Sequence, residues 1–232
     1  MSRILMVASD PMEFPGLLRH ATNVTDASLP LDWARSARLG ADELLLVTNG
    51  AGAHRAALAT EAALLTFPAD AVVSTGFCGA LAPELQIAEI VVATAVQWGT
   101  RRFPSLNPQT TRPHHSGVVT SIDHVAQNAR EKSYLRSTGA CAVEMEAGGV
   151  ADCAIARGIP FHCVRVVTDL AGEDMANDFN GALRPDGHFG TMKILQGALL
   201  HPLTRLPELF RLRKRCDRAA HALGDFFADC RF

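Results

Sequence analysis

Short runs rich in Val, Ile and Leu alternate along the chain with longer Ala-rich stretches of helical spacing, and this alternation constrains the fold more than any other feature. Buried strands are expected at Ile4–Ala8, Leu44–Thr48, Ala71–Thr75, Glu89–Gln97, Val118–Ser121, Ala140–Val143 and Phe161–Thr168. Helices are expected at Ala53–Phe67, Ala126–Ser137 and Glu146–Arg157, the last ending at Gly158 ahead of Pro160. The pattern predicts one α/β domain with a central, mostly parallel mixed sheet flanked by helices. After His188 the texture changes to two helical stretches, Phe189–His201 and Arg205–Phe227, broken around Pro202 and Pro207. The expected division is therefore an α/β domain over 1–188 with a helical C-terminal extension, 189–232, packed on it.

Composition removes several classes of function. Apolar residues make up 48% of the 232, enough for a substantial core, and the net charge of -2 lacks the basic excess of a nucleic-acid reader. Six cysteines occur, none in a C-x-x-C pair, so a zinc ribbon, a thioredoxin-like site and a disulfide scaffold are all disfavoured. The opening MSRILMVASD runs into Asp10 without a cleavage site, and no apolar run is long enough to span a bilayer, so a cytoplasmic, reduced protein is expected. From His201 onward seven Lys/Arg face four acids, which leaves open a peripheral contact between a basic amphipathic helix and anionic lipid, beside the plainer reading of a solvated face. The Pro-rich stretch Arg102–Ser116 reads as a surface loop, a candidate lid, and residues 173–187 as a second irregular segment.

In an open α/β sheet, ligands gather at the carboxyl ends of strands. The residues there include Ser9-Asp10-Pro11-Met12-Glu13, Asn49-Gly50-Ala51-Gly52, Gly76-Phe77-Cys78-Gly79, Glu144-Met145-Glu146 and Asp169. Asp169 follows an apolar run, where limited water raises a carboxyl's pKa and suits it to general acid chemistry; taken alone it also reads as a helix N-cap. Glu146 opens a helix, where the dipole favours an acid, and Glu13 reads equally as a first-turn residue. Strand alternation leaves the direction of Glu144 open. Carboxylates converging on one pocket suit sugar chemistry through an oxocarbenium-like transition state. NGAGA lacks the remaining residues of a P-loop or dinucleotide fingerprint, while STGFCGA exposes backbone to a flat ligand or makes a tight turn. The nine histidines have no metal-ligand spacing and G-x-S-x-G is absent, so neither a metal site nor a serine hydrolase is expected.

VVSTGFCGAL, followed by AVEMEAGGVADCAIARGIPFHCVRVVTD, resembles the glycine-rich segment, the V-E-M-E-A helix start and the R-x-x-[ST]-D strand end of the purine and uridine nucleoside phosphorylase superfamily, and within it the methylthioadenosine/adenosylhomocysteine nucleosidases. ASDPMEF resembles that superfamily's A-M-x-x-E segment. SIDHVAQNAREKSYLRSTGACAVEMEA and the tail RPDGHFG through LHPLTRLPELFRLRKRCDRAAHAL are similar to the hopanoid-associated phosphorylases, which are thought to release adenine from adenosylhopane.

The resemblance implies a nucleoside phosphorylase-like fold, a small-molecule nucleoside substrate, a homodimer, and no organic cofactor or metal, with phosphate open as a co-substrate. It implies that Asp169, with Thr168 beside it, protonates or hydrogen-bonds purine N7, and that Glu13 positions and deprotonates water. Glu146 would accept the ribose hydroxyls, Met145 would pack on the sugar, and Glu144 would contribute to the ribose or water network. Phe77, Cys78 and Gly79 would line the base pocket, and Val125 would lie near the stretch covering the base. The Arg that holds phosphate in hexameric phosphorylases is missing, since the matching positions read Ser74 and Phe77; another cation such as Arg55 or Arg165 would be needed. That departure tilts the expectation towards water as acceptor. The implied reaction is adenine release from a 5′-substituted adenosine, adenosylhopane first, with a general methylthioadenosine/adenosylhomocysteine nucleosidase as the alternative and a non-catalytic nucleoside-binding module as the rival of another class.

Overall fold

The computed structural model describes residues 1–232 and centres on ten strands: β1 (Arg3–Ala8), β2 (Thr22–Asp26), β3 (Trp33–Leu39), β4 (Asp42–Thr48), β5 (Ala71–Ala80), β6 (Ile90–Trp98), β7 (Arg101–Pro104), β8 (His115–Ser121), β9 (Ala140–Glu144) and β10 (Phe161–Asp169). The helices are α1 (Pro15–Leu18), α2 (Ala53–Leu64), α3 (Ala129–Ser137), α4 (Ala147–Ala156), α5 (Phe179–Ala182), α6 (Thr191–Leu200) and α7 (Pro202–Phe227). Each expected strand and helix is present, within a few residues at its ends.

The sheet is mixed, with five parallel and five antiparallel pairings. Because β10 pairs with both β5 and β6, the strands β5, β10, β6, β8 and β9 close into a ring, and β1, β4, β3 and β2 extend from β5 as an open wing. Alternation along β1 and β4 divides their side chains between two cores. Leu5, Val7, Leu45 and Val47 face α2 and α4, while Ile4, Met6, Leu44 and Leu46 face α7 and α1. The second half of α7 belongs to that latter core through Ala219, Leu223, Phe226 and Phe227.

Three strands lie outside the expected pattern. β2 is exposed along its whole length and owes its conformation to the ladder with β3, while β3 (WARSARL) and β7 interleave a few buried residues, Ala34, Ala37 and Phe103, with arginines and so show no continuous apolar run. The Pro-rich stretch is less free than a lid. It begins within β7 and ends in β8, and its middle is pinned by Asp229, which accepts from Thr110 Oγ1 at 2.9 Å, Thr111 N at 2.6 Å and Thr111 Oγ1 at 2.9 Å. The terminal helix starts at Pro202, where a missing N–H costs nothing, and runs through Pro207, whose lost partner carbonyl belongs to the exposed Leu203. In 173–187, α5 forms behind an Asp178 cap, and Glu208 of α7 accepts from Ala176 N at 2.8 Å and Asn177 N at 2.9 Å.

Candidate functional site

The glycine-rich segment is not a turn. β5 continues through it to Ala80, pairing with β10 so that Gly76 lies opposite Arg165 and Gly79 opposite Asp169. Backbone from 76 to 79 thus forms a floor with functional groups at both ends, roughly 10 Å apart at about 3.3 Å per residue.

At the first end sits Arg165. A charged residue in the middle of an apolar strand has to find partners, and this one, fully buried, is held by an ion pair with Glu144, by Glu146 Oε2 at 3.6 Å, by Thr75 O at 2.7 Å and by Ser74 Oγ at 2.6 Å. Glu144 closes β9 and turns its Oε2 onto the N–H groups of Glu146 (2.9 Å) and Ala147 (2.8 Å), while its Oε1 has no partner. Glu146, the residue before α4, accepts from Gly52 N at 3.0 Å. Burial first, then the charge of Glu144, pushes the Glu146 carboxyl up to about 8, against the opposing pull of Arg165. Burial alone would lower Arg165, but Glu144, Glu146 and Glu13 outweigh it and hold the guanidinium above its ordinary value.

Glu13 reaches the same cluster from a 3-10 turn after β1. Its Oε2 accepts from Ser9 N (2.8 Å), Ser9 Oγ (2.9 Å) and Asp10 N (3.0 Å), a capping box with Asp10, so the first-turn role and the site role coexist in one side chain. Its Oε1 crosses to Phe77 N at 2.7 Å. Burial raises the Glu13 carboxyl, partly offset by the Phe77 N–H and by Arg165. Gly76 makes this approach possible: its φ is +122°, and a Cβ there would sit 2.3 Å from Glu13 Oε1.

At the other end, Asp169 is 8% exposed and ion-paired with Lys132 of α3, whose Nζ also donates to Leu170 O at 2.8 Å. Burial raises the Asp169 carboxyl and the Lys132 ammonium lowers it, with burial the larger. Thr168 Oγ1 lies 3.3 Å from Cys78 O and 3.2 Å from Asp169 Oδ2. A small cavity of about 20 Å³ beside Asp169 is walled by Glu173, Phe179 and the α7 residues Glu208, Arg211 and Arg215. A larger groove of about 480 Å³, at Glu89, His114, His115 and Phe226, contains none of these carboxylates.

Residues 3–111 and 101–186 match the model of the Phosphorylase superfamily. The chain belongs to that superfamily. Among superfamily relatives, it is 26% identical over 173 residues to the 5′-methylthioadenosine/S-adenosylhomocysteine nucleosidase of Geobacillus kaustophilus, covering 61% of this chain and 73% of the relative. It is 27% identical over 178 residues to the enzyme of the same name from Colwellia psychrerythraea, covering 61% and 73%. Two solved structures share the fold. The S-adenosylhomocysteine nucleosidase of Streptococcus pyogenes, in complex with 5-methylthiotubericidin, superposes with a TM-score of 0.72 at 20% identity over 98% of this chain and 96% of that one. A futalosine hydrolase mutant of Helicobacter pylori gives 0.70 at 16% over 98% and 99%.

Of the residues singled out from the sequence of this Phosphorylase superfamily member, Glu13, Glu144 and Glu146 meet around Arg165, and Asp169, Thr168, Cys78 and Gly79 meet at the far end of the floor. Phe77 is half-buried on that floor, with its backbone tied to Glu13, and Met145 is buried between the two glutamates. Val125 is half-buried on the approach to α3, its N–H and C=O both bonded to Asn180, at 2.8 and 2.9 Å. Of the two cations offered to phosphate, Arg165 is enclosed by carboxylates, and Arg55 donates to Asn49 O at 3.2 Å and Pro185 O at 3.4 Å. Sequence reasoning missed Lys132, which sits in the polar helix AREKSYLRS with nothing to distinguish it. It also considered Arg165 only for phosphate, although a lone charge inside FHCVRVV was the signal for a buried ion cluster.

Proposed function

We propose that this protein cleaves the N-glycosidic bond of a 5′-substituted adenosine, with water as acceptor, and releases adenine. The observation that carries the reading is the pair of acidic centres at the two ends of the 76–79 floor: Glu13, Glu144 and Glu146 around Arg165 at one, Asp169 at the other. A purine held at the Asp169 end puts its N7 against that carboxyl, which activates the leaving group. The sugar then lies over the other end, where negative charge stabilises the oxocarbenium-like transition state. Glu146 bonds the ribose hydroxyls, Met145 packs on the ring, and Glu13 orients the attacking water. Phe77, Cys78 and Gly79 line the base with Thr168, and Val125 lies in the segment that covers it.

Water is favoured over phosphate because the carboxylates would repel a dianion and the nearest guanidinium, Arg165, is committed to them. The test is adenine release measured with and without phosphate. Ribose product at a phosphate-independent rate is expected, and Asp169→Asn should lose at least about 100-fold, the usual reach of general acid catalysis. Ribose-1-phosphate as product would overturn the choice of water, and full activity in the Asp169 variant would overturn the role of that carboxyl.

The sequence resemblance favours adenosylhopane as the natural substrate, and the nucleosidase relatives favour a general methylthioadenosine/adenosylhomocysteine activity. Comparing methylthioadenosine with a long-chain 5′-alkyl adenosine separates the two. A lipid-linked substrate agrees with the α6–α7 elbow, where Met192, Leu199, Leu200, Leu203 and Phe210 are exposed beside Lys193, Arg213 and Lys214. No helix is long and apolar enough to cross a membrane, so contact would be peripheral, and absence of flotation with anionic liposomes at low salt would remove it. The same reading holds the protein to be a cytoplasmic homodimer, checked by sedimentation.

A further inference from the structure

Lys132 is the one fully buried residue of α3, and a buried ammonium costs several kcal/mol unless charge and hydrogen bonds compensate it. Its Nζ meets Asp169 Oδ1 and, at 2.8 Å, Leu170 O. Asp169 Oδ2 lies 3.2 Å from Thr168 Oγ1. Around the pair stand Cys78 from β5, Glu173 after β10, and Arg211, Arg215 and Cys216 from α7; Arg215 is itself bound bidentately to Glu173, at 2.7 and 2.8 Å. The Lys132 ammonium is thus a proton donor in direct contact with the Asp169 carboxyl.

We propose that Lys132 stores the proton which the Asp169 carboxylate hands to the departing purine. This rests on the proposed nucleosidase reading and deepens it. As the C1′–N9 bond breaks, its electron pair goes to the purine. The proton moves from Lys132 Nζ to the carboxylate and from the carboxyl to N7, leaving Asp169 ionised as before and Lys132 a neutral amine. Water bonds to C1′ and yields its proton to Glu13. Solvent then returns a proton to Lys132 and takes one from Glu13, so that nucleoside and water become purine and free sugar. Lys132 acts through Asp169 and is a positioning and proton-storing residue.

The experiment compares wild type with Lys132→Met on two substrates, 5′-methylthioadenosine and the 4-nitrophenyl glycoside of the same 5-methylthioribose, whose phenolate leaves without protonation. The ratio of the two kcat/KM values is unaffected by any loss of folded protein. We expect it to fall at least about 30-fold at about pH 8, within the range of general acid catalysis, and to recover as the pH is lowered and Asp169 takes a proton itself. A ratio within about threefold of wild type at every pH would overturn the role of Lys132 while leaving the proposed function standing. Failure of wild type to release adenine, with the nitrophenyl glycoside still cleaved, would remove both.

Discussion

Replacing Arg165 with Met isolates the physics of the acidic cluster. The guanidinium is fully buried and is the only cation facing Glu144 and Glu146 within 4 Å. Methionine fills much of its volume but leaves Glu144 without its counter-charge and the Thr75 carbonyl and Ser74 hydroxyl without a donor. Removing one member of a buried ion pair costs about 3–5 kcal/mol, which for a chain of this size lowers Tm by roughly 6–20 °C near neutral pH. The pH dependence makes the test specific. Glu146 titrates at about 8 when folded against 4.5 unfolded, so between those values the folded state holds the extra proton and stability falls as pH rises. Arg165 opposes that rise at both Glu146 and Glu13, so its loss raises both carboxyls further and extends the fall to higher pH. Thermal melts from about pH 5 to about pH 9 should show a deficit that grows towards the alkaline end. A deficit independent of pH, or one below about 1 kcal/mol throughout, would refute the view that Arg165 exists to neutralise these carboxylates.

Two further substitutions probe what surrounds the cluster. Gly76→Ala sets a Cβ 2.3 Å from Glu13 Oε1 in a backbone conformation with φ +122°, and should lower kcat for adenine release, since displacing a reactive group by about 1 Å can cost up to about 100-fold; an unchanged kcat would detach Glu13 from the chemistry. Glu208→Ala strips the acceptor from Ala176 N, Asn177 N and Asn177 Nδ2, and should cost about 2–3 kcal/mol and speed proteolytic nicking within 173–187. Unchanged nicking would mean that the segment holds itself.

The central strands were legible because burial on both faces writes itself as an apolar run: LLLVT and FHCVRVV read as β4 and β10 without any partner in view. β2 was illegible for the converse reason, since TNVTD buries nothing and is extended only because β3 lies beside it. The closure of five strands into a ring depends on β10 finding both β5 and β6, a choice between partners that local pattern does not encode. The carboxylates were legible at strand ends because topology brings those ends together. Their cations were not, since Lys132 lies in a mostly polar helix and its burial follows from the pairing with Asp169. The glycine-rich segment was read as ligand-facing, yet its continuation as a strand needed the register with β10 to be seen.

The two glycines of AGGV lower helix propensity by about 1 kcal/mol each, and the structure supplies the reason to accept that penalty. A Cβ on Gly149 would lie 1.8 Å from Ala53 O and one on Gly148 would lie 2.5 Å from Trp98 Cγ, so α4 meets the start of α2 backbone to backbone. That contact joins the residue before α4, Glu146, to the residue before α2, Gly52, whose N–H it accepts at 3.0 Å. Gly149→Ala would gain about 1 kcal/mol of helix propensity and should nevertheless destabilise the protein by about 1–3 kcal/mol net, because the opposing atom is backbone and cannot swing aside. Forcing the helices apart also lengthens the Gly52–Glu146 bond, so the KM for a ribose-bearing substrate should rise even in the fraction that folds. Measuring Tm and KM together separates the effects. A variant with a higher Tm and an unchanged KM would mean that the close approach of α2 and α4 is incidental, and that Glu146 is held in place by Arg165 and the Glu144 backbone contacts alone.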